Sequence, residues 1–144
     1  TVSANCCFTW TVENFSFYNG DRSAIISSPE FPGERGEKIW RLQLRPFGAY
    51  KEEKEPYVSL NLILGSYVSG NENDVNFEIS ILNDLDEKTY KFSSRRIQFC
   101  DKLGVGGVNR FFISRRNLTK DETLLTDDRL RIHCKIWFIN NNEP

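Results

Sequence analysis

Large apolar side chains recur at every second position in five separate stretches of this chain, and that period constrains the fold more than any other feature. Phe8, Trp10 and Val12 alternate with Thr9, Thr11 and Glu13. Trp40, Leu42 and Leu44 alternate with Arg41, Gln43 and Arg45, and Pro46 then removes a donor and ends the run. Val58, Leu60, Leu62 and Leu64 stand against Ser59 and Asn61, and Val75, Phe77, Ile79 and Ile81 against Asn76, Glu78 and Ser80. Leu130, Ile132, Cys134, Ile136 and Phe138 alternate with Arg131, His133 and Lys135. Successive side chains of a strand point to opposite faces, so each stretch has one apolar and one polar side. Less regular strands are predicted at Ala24 to Ser28, Tyr90 to Phe92 and Ile97 to Cys100. Turn residues separate the runs at Asn19-Gly20-Asp21, Pro32-Gly33, Ser69-Gly70-Asn71, Asn83-Asp84 and Asp127-Asp128. One short helix is expected after Phe111-Phe112-Ile113, capped by Ser114 and running through Arg115, Arg116 and Asn117. Seven or eight strands, each with a single apolar face, bury those faces by stacking two sheets. The pattern therefore predicts an all-β, antiparallel β-sandwich. Trp10, Trp40, Leu42, Leu62, Ile79 and Ile136 are its expected core.

With 144 residues the chain has the length of one domain and buries enough surface to need neither disulfides nor metal. Nineteen Lys and Arg against twenty Asp and Glu leave a net charge of −1, which gives no electrostatic footprint for nucleic acid or an anionic membrane. No run approaches the roughly 18 apolar residues of a membrane span, and Thr1 to Asn5 lacks the plan of a signal peptide. The chain contains no Met, so a mature form or, in preference, a piece of a longer protein is expected. Cys6, Cys7, Cys100 and Cys134 match neither a zinc pattern nor a disulfide framework, and reduced, unligated thiols in the nucleus or cytoplasm are the simplest expectation. Asn14-Phe15-Ser16 and Asn117-Leu118-Thr119 have the glycosylation form, which matters only in the secretory pathway.

Residues suited to catalysis are present but badly placed for it. The single histidine, His133, precedes Cys134 in a strand, so the two side chains diverge and form no local dyad. Adjacent Cys6 and Cys7 diverge in the same way and make poor joint ligands. Asp127-Asp128 and Asp86-Glu87 fall in turns, where Asp serves local hydrogen bonding. Gly104-Val105-Gly106-Gly107 is followed by no Lys-Ser/Thr and opens no helix, which points to a loop or bulge at a sheet edge rather than a phosphate loop. No enzyme activity, cofactor or metal is expected.

The segment Phe8-Thr9-Trp10-Thr11-Val12-Glu13-Asn14-Phe15-Ser16-Phe17 resembles the opening strand of a MATH (meprin and TRAF homology) domain. Further landmarks follow in order. They are Ile26-Ser27-Ser28-Pro29-Glu30-Phe31, the stretch Trp40 to Gly48, Tyr57 to Leu62, Phe77 to Asn83, Phe112 to Leu118 and Leu124 to Leu130. The resemblance spans about residues 6 to 140 and is strongest to speckle-type POZ proteins and TD and POZ domain-containing proteins. It implies a noncatalytic module that selects target proteins for a cullin-type ubiquitin ligase by binding extended, Ser/Thr-containing peptide segments. Cullin would bind only through a BTB/POZ domain that these residues do not include. The alternative is a TRAF-like signalling or scaffold domain trimerised by a preceding coiled coil. A secreted, meprin-like sandwich is a third class.

Carried across residue by residue, the resemblance implies a groove that includes Phe77 and Phe99, with Asn61 and Ile97 where the family has tyrosines. Its edge segment runs from Lys102 through Leu103, Val105, Gly106 and Gly107 to Val108, where the family has a Trp-Gly-Phe string. Fewer aromatic anchors imply weaker or altered peptide selectivity. For Phe77, alternation with Ile79 and Ile81 suits core packing as well as a groove. For Trp10 and Trp40 core packing is the expectation, and for Arg95 and Arg96 a solvated face.

Overall fold

The computed structural model describes residues 2–32, 39–48, 56–66, 73–99 and 105–139, with side chains over 6–31, 40–48, 56–63, 76–93 and 112–137. Among the described residues nine strands form: β1 (Val2–Val12), β2 (Ile26–Ser27), β3 (Phe31–Pro32), β4 (Ile39–Arg45), β5 (Tyr57–Ser66), β6 (Asn73–Leu82), β7 (Lys88–Phe99), β8 (Val105–Ser114) and β9 (Leu130–Ile139). One sheet has the order β1-β9-β6-β7 and the other β2-β4-β5-β8, with β3 also on β4. Every pairing is antiparallel. This is the expected sandwich, with β2 and β3 as two-residue edge pieces beside seven long strands.

The alternation does its work at the interface between the sheets. Trp10, Trp40, Leu42, Leu62, Ile79 and Ile136 are all buried, and they belong to one continuous core with Leu44, Leu60, Ile81, Leu130, Ile132 and Cys134. Each fully buried side chain of this size contributes roughly 1.5 to 3 kcal/mol over its exposed state. The polar partners Arg41, Gln43, Arg45, Arg131, His133 and Lys135 stay half-buried on the outer faces.

Two strands escape the period-two rule for one reason. Tyr90 to Phe92 and Ile97 to Cys100, expected as separate pieces, fall as far as Phe99 within the single strand β7. Its pairing with β6 slips between Val75 and Phe77 and again between Ile79 and Ile81, where Tyr90 takes a positive φ of 49°. Each bulge inserts an unpaired residue and reverses the inside-outside phase, so the sequence shows no unbroken alternation. In β8 the register slips between Val58 and Leu60 of its partner, and Phe112 and Ile113 are consequently both buried although adjacent. Cys100, Gly33 and the Ser69-Gly70-Asn71 turn lie outside the described residues.

The expected helix is α1 (Arg115–Lys120). Ser114, extended at φ −70° and ψ 146°, caps it by accepting the Asn117 amide at 3.1 Å. At its first position Arg115 turns inward and is only 7% exposed. Its Nη1 donates to the Pro46 carbonyl at 3.2 Å, its Nη2 donates to Asn19 Oδ1, and its guanidinium lies over the rings of Phe15 and Phe47 at 4.7 and 5.1 Å. Burial lowers the Arg115 pKa from its ordinary value, and the Asp128 carboxylate opposes that. Asp128, read from sequence as a turn residue, has φ 60° and also accepts the Ser16 amide at 2.9 Å and its hydroxyl at 2.6 Å. One end of the sandwich is thereby fastened by a closed polar network.

Candidate peptide-binding edge

Strands β7 and β8 are the last strands of their respective sheets, and they approach each other along one side of the sandwich. Between them in sequence lies the segment 100–104, outside the described residues. Among the described residues β8 pairs with β5 alone, so no described strand takes up the backbone donors and acceptors of its other side.

Asn61 sits on β5 with its side chain on the outer face, half-buried, between Gln43 of β4 and Val108 of β8. Its Nδ2 donates to Gln43 Oε1 at 3.5 Å, a long bond at the limit of the geometry. Gly107 pairs with Leu62 and Val105 with Ile63, which leaves Gly106 as the extra residue of a bulge. Val105, Gly106 and Gly107 thus form an irregular stretch of sheet edge, as their composition suggested. A bulge at an edge re-aims the strand locally and interrupts the regular ladder. Ile97 and Phe99 lie on β7, paired with Val75 and Asn73, where the backbone alone is described. Lys102 and Leu103 lie outside the described residues, as do the side chains of Arg95 and Arg96.

Phe77 requires a correction. It is 1% exposed, paired across β6 with Ile136 and Ser94, and its ring stands edge-on to Phe92 at 5.6 Å. The alternation that offered both readings is resolved by Ile79 and Ile81, which are buried on the same face. The ring is core and presents no surface for a ligand, so its match to a groove aromatic does not make it an exposed anchor. The structure brings Asn61, Val105, Gly106, Gly107 and Val108 together on two adjacent strands and leaves Phe77 behind them.

The residue pairs weighed for catalysis diverge where they are described. His133 Nδ1 lies 3.0 Å from Thr9 Oγ1 on the outer face of the four-stranded sheet, while Cys134 is buried on the inner face. Burial lowers the His133 pKa, aided by Lys88 and Lys135 and opposed by Glu78. Burial pushes the Cys134 thiol far above its usual range, so it is not a ready nucleophile. Cys6 points inward and Cys7 outward, as strand geometry requires. Asp86 pairs with Arg131, which also donates to the Asn83 carbonyl at 2.5 Å. Among the described residues no three metal-ligating side chains cluster.

The two-sheet antiparallel sandwich ends in a bulged edge strand, the kind of element to which an extended segment can add. Residues 7–136 match the MATH domain family, and the chain belongs to it. Members of this family bind other proteins. TD and POZ domain-containing protein 1 and its 1-like relative, both from Mus musculus, are each 33% identical over 134 residues. The match covers 92% of this chain and 36% of each relative, so the chain spans about a third of their length. Among solved structures, TRAF5 of Notothenia coriiceps shares the fold with a TM-score of 0.67 at 14% identity, over 96% of this chain and 76% of that one.

Proposed function

We propose that this domain is a noncatalytic substrate-recognition module, binding extended segments of target proteins along the β7 and β8 edges for a cullin-type ubiquitin ligase. The observation that carries the reading is the side of β8 that no described strand pairs with, and the Gly106 bulge beside Asn61. An added strand gains main-chain hydrogen bonds there, and the absent side chains of Gly106 and Gly107 allow close backbone approach. Small polar Asn61 in place of an aromatic favours a Ser/Thr-containing segment over a bulky apolar one, because its amide both donates and accepts. Assembly with cullin rests on likeness to the POZ-containing relatives and on a POZ domain in the parent protein, which acts in the nucleus or cytoplasm.

Amide hydrogen exchange of the domain with a Ser/Thr-rich peptide array tests the first part: bound peptides should slow exchange in residues 105–108. Binding that leaves those amides unchanged would move the site elsewhere. Immunoprecipitation of the parent protein tests the second part, and recovery of its targets without cullin would reject the ligase role.

A further inference from the structure

The outer face of the five-stranded sheet carries a feature that edge binding does not use. On β4, Arg41, Gln43 and Arg45 point outward together, because Trp40, Leu42 and Leu44 are fully buried on the other side. Two strand pairings extend these rows towards the candidate edge. Arg41 lies opposite Ile63, which lies opposite Val105; Gln43 lies opposite Asn61, which lies opposite Val108. Arg45 lies opposite Ser59.

Neither arginine stands in an ion pair such as Lys88–Glu78, Arg129–Glu13 or Arg131–Asp86 among the described residues. More telling is the Arg41 Nε, which is buried and has no hydrogen-bond acceptor. A buried, charged donor left unpaired is costly and rare, and an acceptor supplied from outside removes the cost. The residue as a whole is half-buried, so part of its side chain meets the outer surface although Nε does not.

We infer that Arg41 and Arg45, with Gln43 between them, bind an acidic stretch of the partner polypeptide that flanks the segment held at the β8 edge. Resting on the proposed edge site, the inference adds a chemical class to its ligand. Carboxylates suit the planar guanidinium fork, which takes them through two parallel hydrogen bonds. The spacing agrees as well. Strands lie about 4.8 Å apart, so β4 is roughly 10 Å from β8, a gap that about three extended residues cross. Arg41 and Arg45 are four residues apart on one strand, about 13 Å, which matches side chains i and i+4 of an extended acidic segment.

The test is selection of a phage-displayed library of random peptides on the domain, followed by fluorescence anisotropy of the selected peptides and of counterparts with Asp and Glu changed to Asn and Gln. Selected peptides should be rich in Asp and Glu, and their affinity should fall with added salt. The Arg41→Gln, Arg45→Gln double variant should bind them about tenfold more weakly, with an unchanged melting temperature and unchanged affinity for the neutral counterparts. Selected peptides without acidic residues, or acidic peptides that bind the variant as tightly as the native chain, would overturn the acidic ligand and leave the edge site standing. A library that yields no binding peptide would overturn the edge site and the acidic ligand together.

Discussion

Arg115 and Arg41 are both arginines that place guanidinium atoms out of water, yet the protein treats them in opposite ways. Around Arg115 the chain supplies a carbonyl from Pro46, the Asn19 amide oxygen, two aromatic faces and the field of Asp128. Around Arg41 the described residues supply no acceptor for Nε. A closed network fixes the shape of the fold, because every group loses a partner if any one moves. Arg41 Nε has no such network, and on the acidic-ligand proposal its acceptor comes from another molecule.

Four substitutions and one titration would break or sharpen that contrast. Phe77→Ala should have the largest effect, about 3 to 5 kcal/mol of lost stability in chemical denaturation, since a buried aromatic leaves a cavity. Near-native stability with lost peptide binding would instead restore Phe77 to the site. Arg115→Ala should follow at about 2 to 4 kcal/mol, because the Pro46 carbonyl and Asn19 amide oxygen lose their donor in a buried setting. If thermal melts show the variant as stable as the native chain, the closed network is not a structural fastening. Removing the helix cap in Ser114→Ala should cost about 1 kcal/mol, read by the same denaturation. Arg41→Gln alone should shift stability by less than about 0.5 kcal/mol, and a loss above 2 kcal/mol would place Arg41 with Arg115 as a structural residue.

The titration concerns His133 on the opposite sheet. Its folded pKa lies below the ordinary 6.5, so the unfolded chain binds more protons as pH falls past that value. Stability then decreases with falling pH from about 6.5 down to the lower folded pKa and is flat above. His133→Gln should flatten that slope in melting curves between pH 7.5 and 5.5, well above the range where Asp21 and Asp121, held low by Ser23 and Thr123, begin to protonate. An unchanged slope would assign the pH dependence to other groups.

By itself the sequence determined the sandwich, the core and the helix start, because period two and a capping serine are local physics. Trp40, Leu42 and Leu44 needed no partner to show which way they face, and Ser114 announced the turn that follows it. Strand β7 was legible only as two separate pieces and β8 not at all, because their bulges break the alternation, and a bulge is settled by register with β6 and β5, not by the residues that form it. Family resemblance could match Phe77 to a groove aromatic, but only the packing of β6 against β9 decided that the ring faces inward. Asn61 and Val108 are far apart in the chain, and nothing in either residue indicates that they pair. Arg41, Gln43 and Arg45 were legible as a basic strand face, but whether that face meets solvent, an internal carboxylate or an empty row beside the edge depends on which strands lie next to it. Local preference sets which way a side chain points; tertiary pairing sets what it meets there.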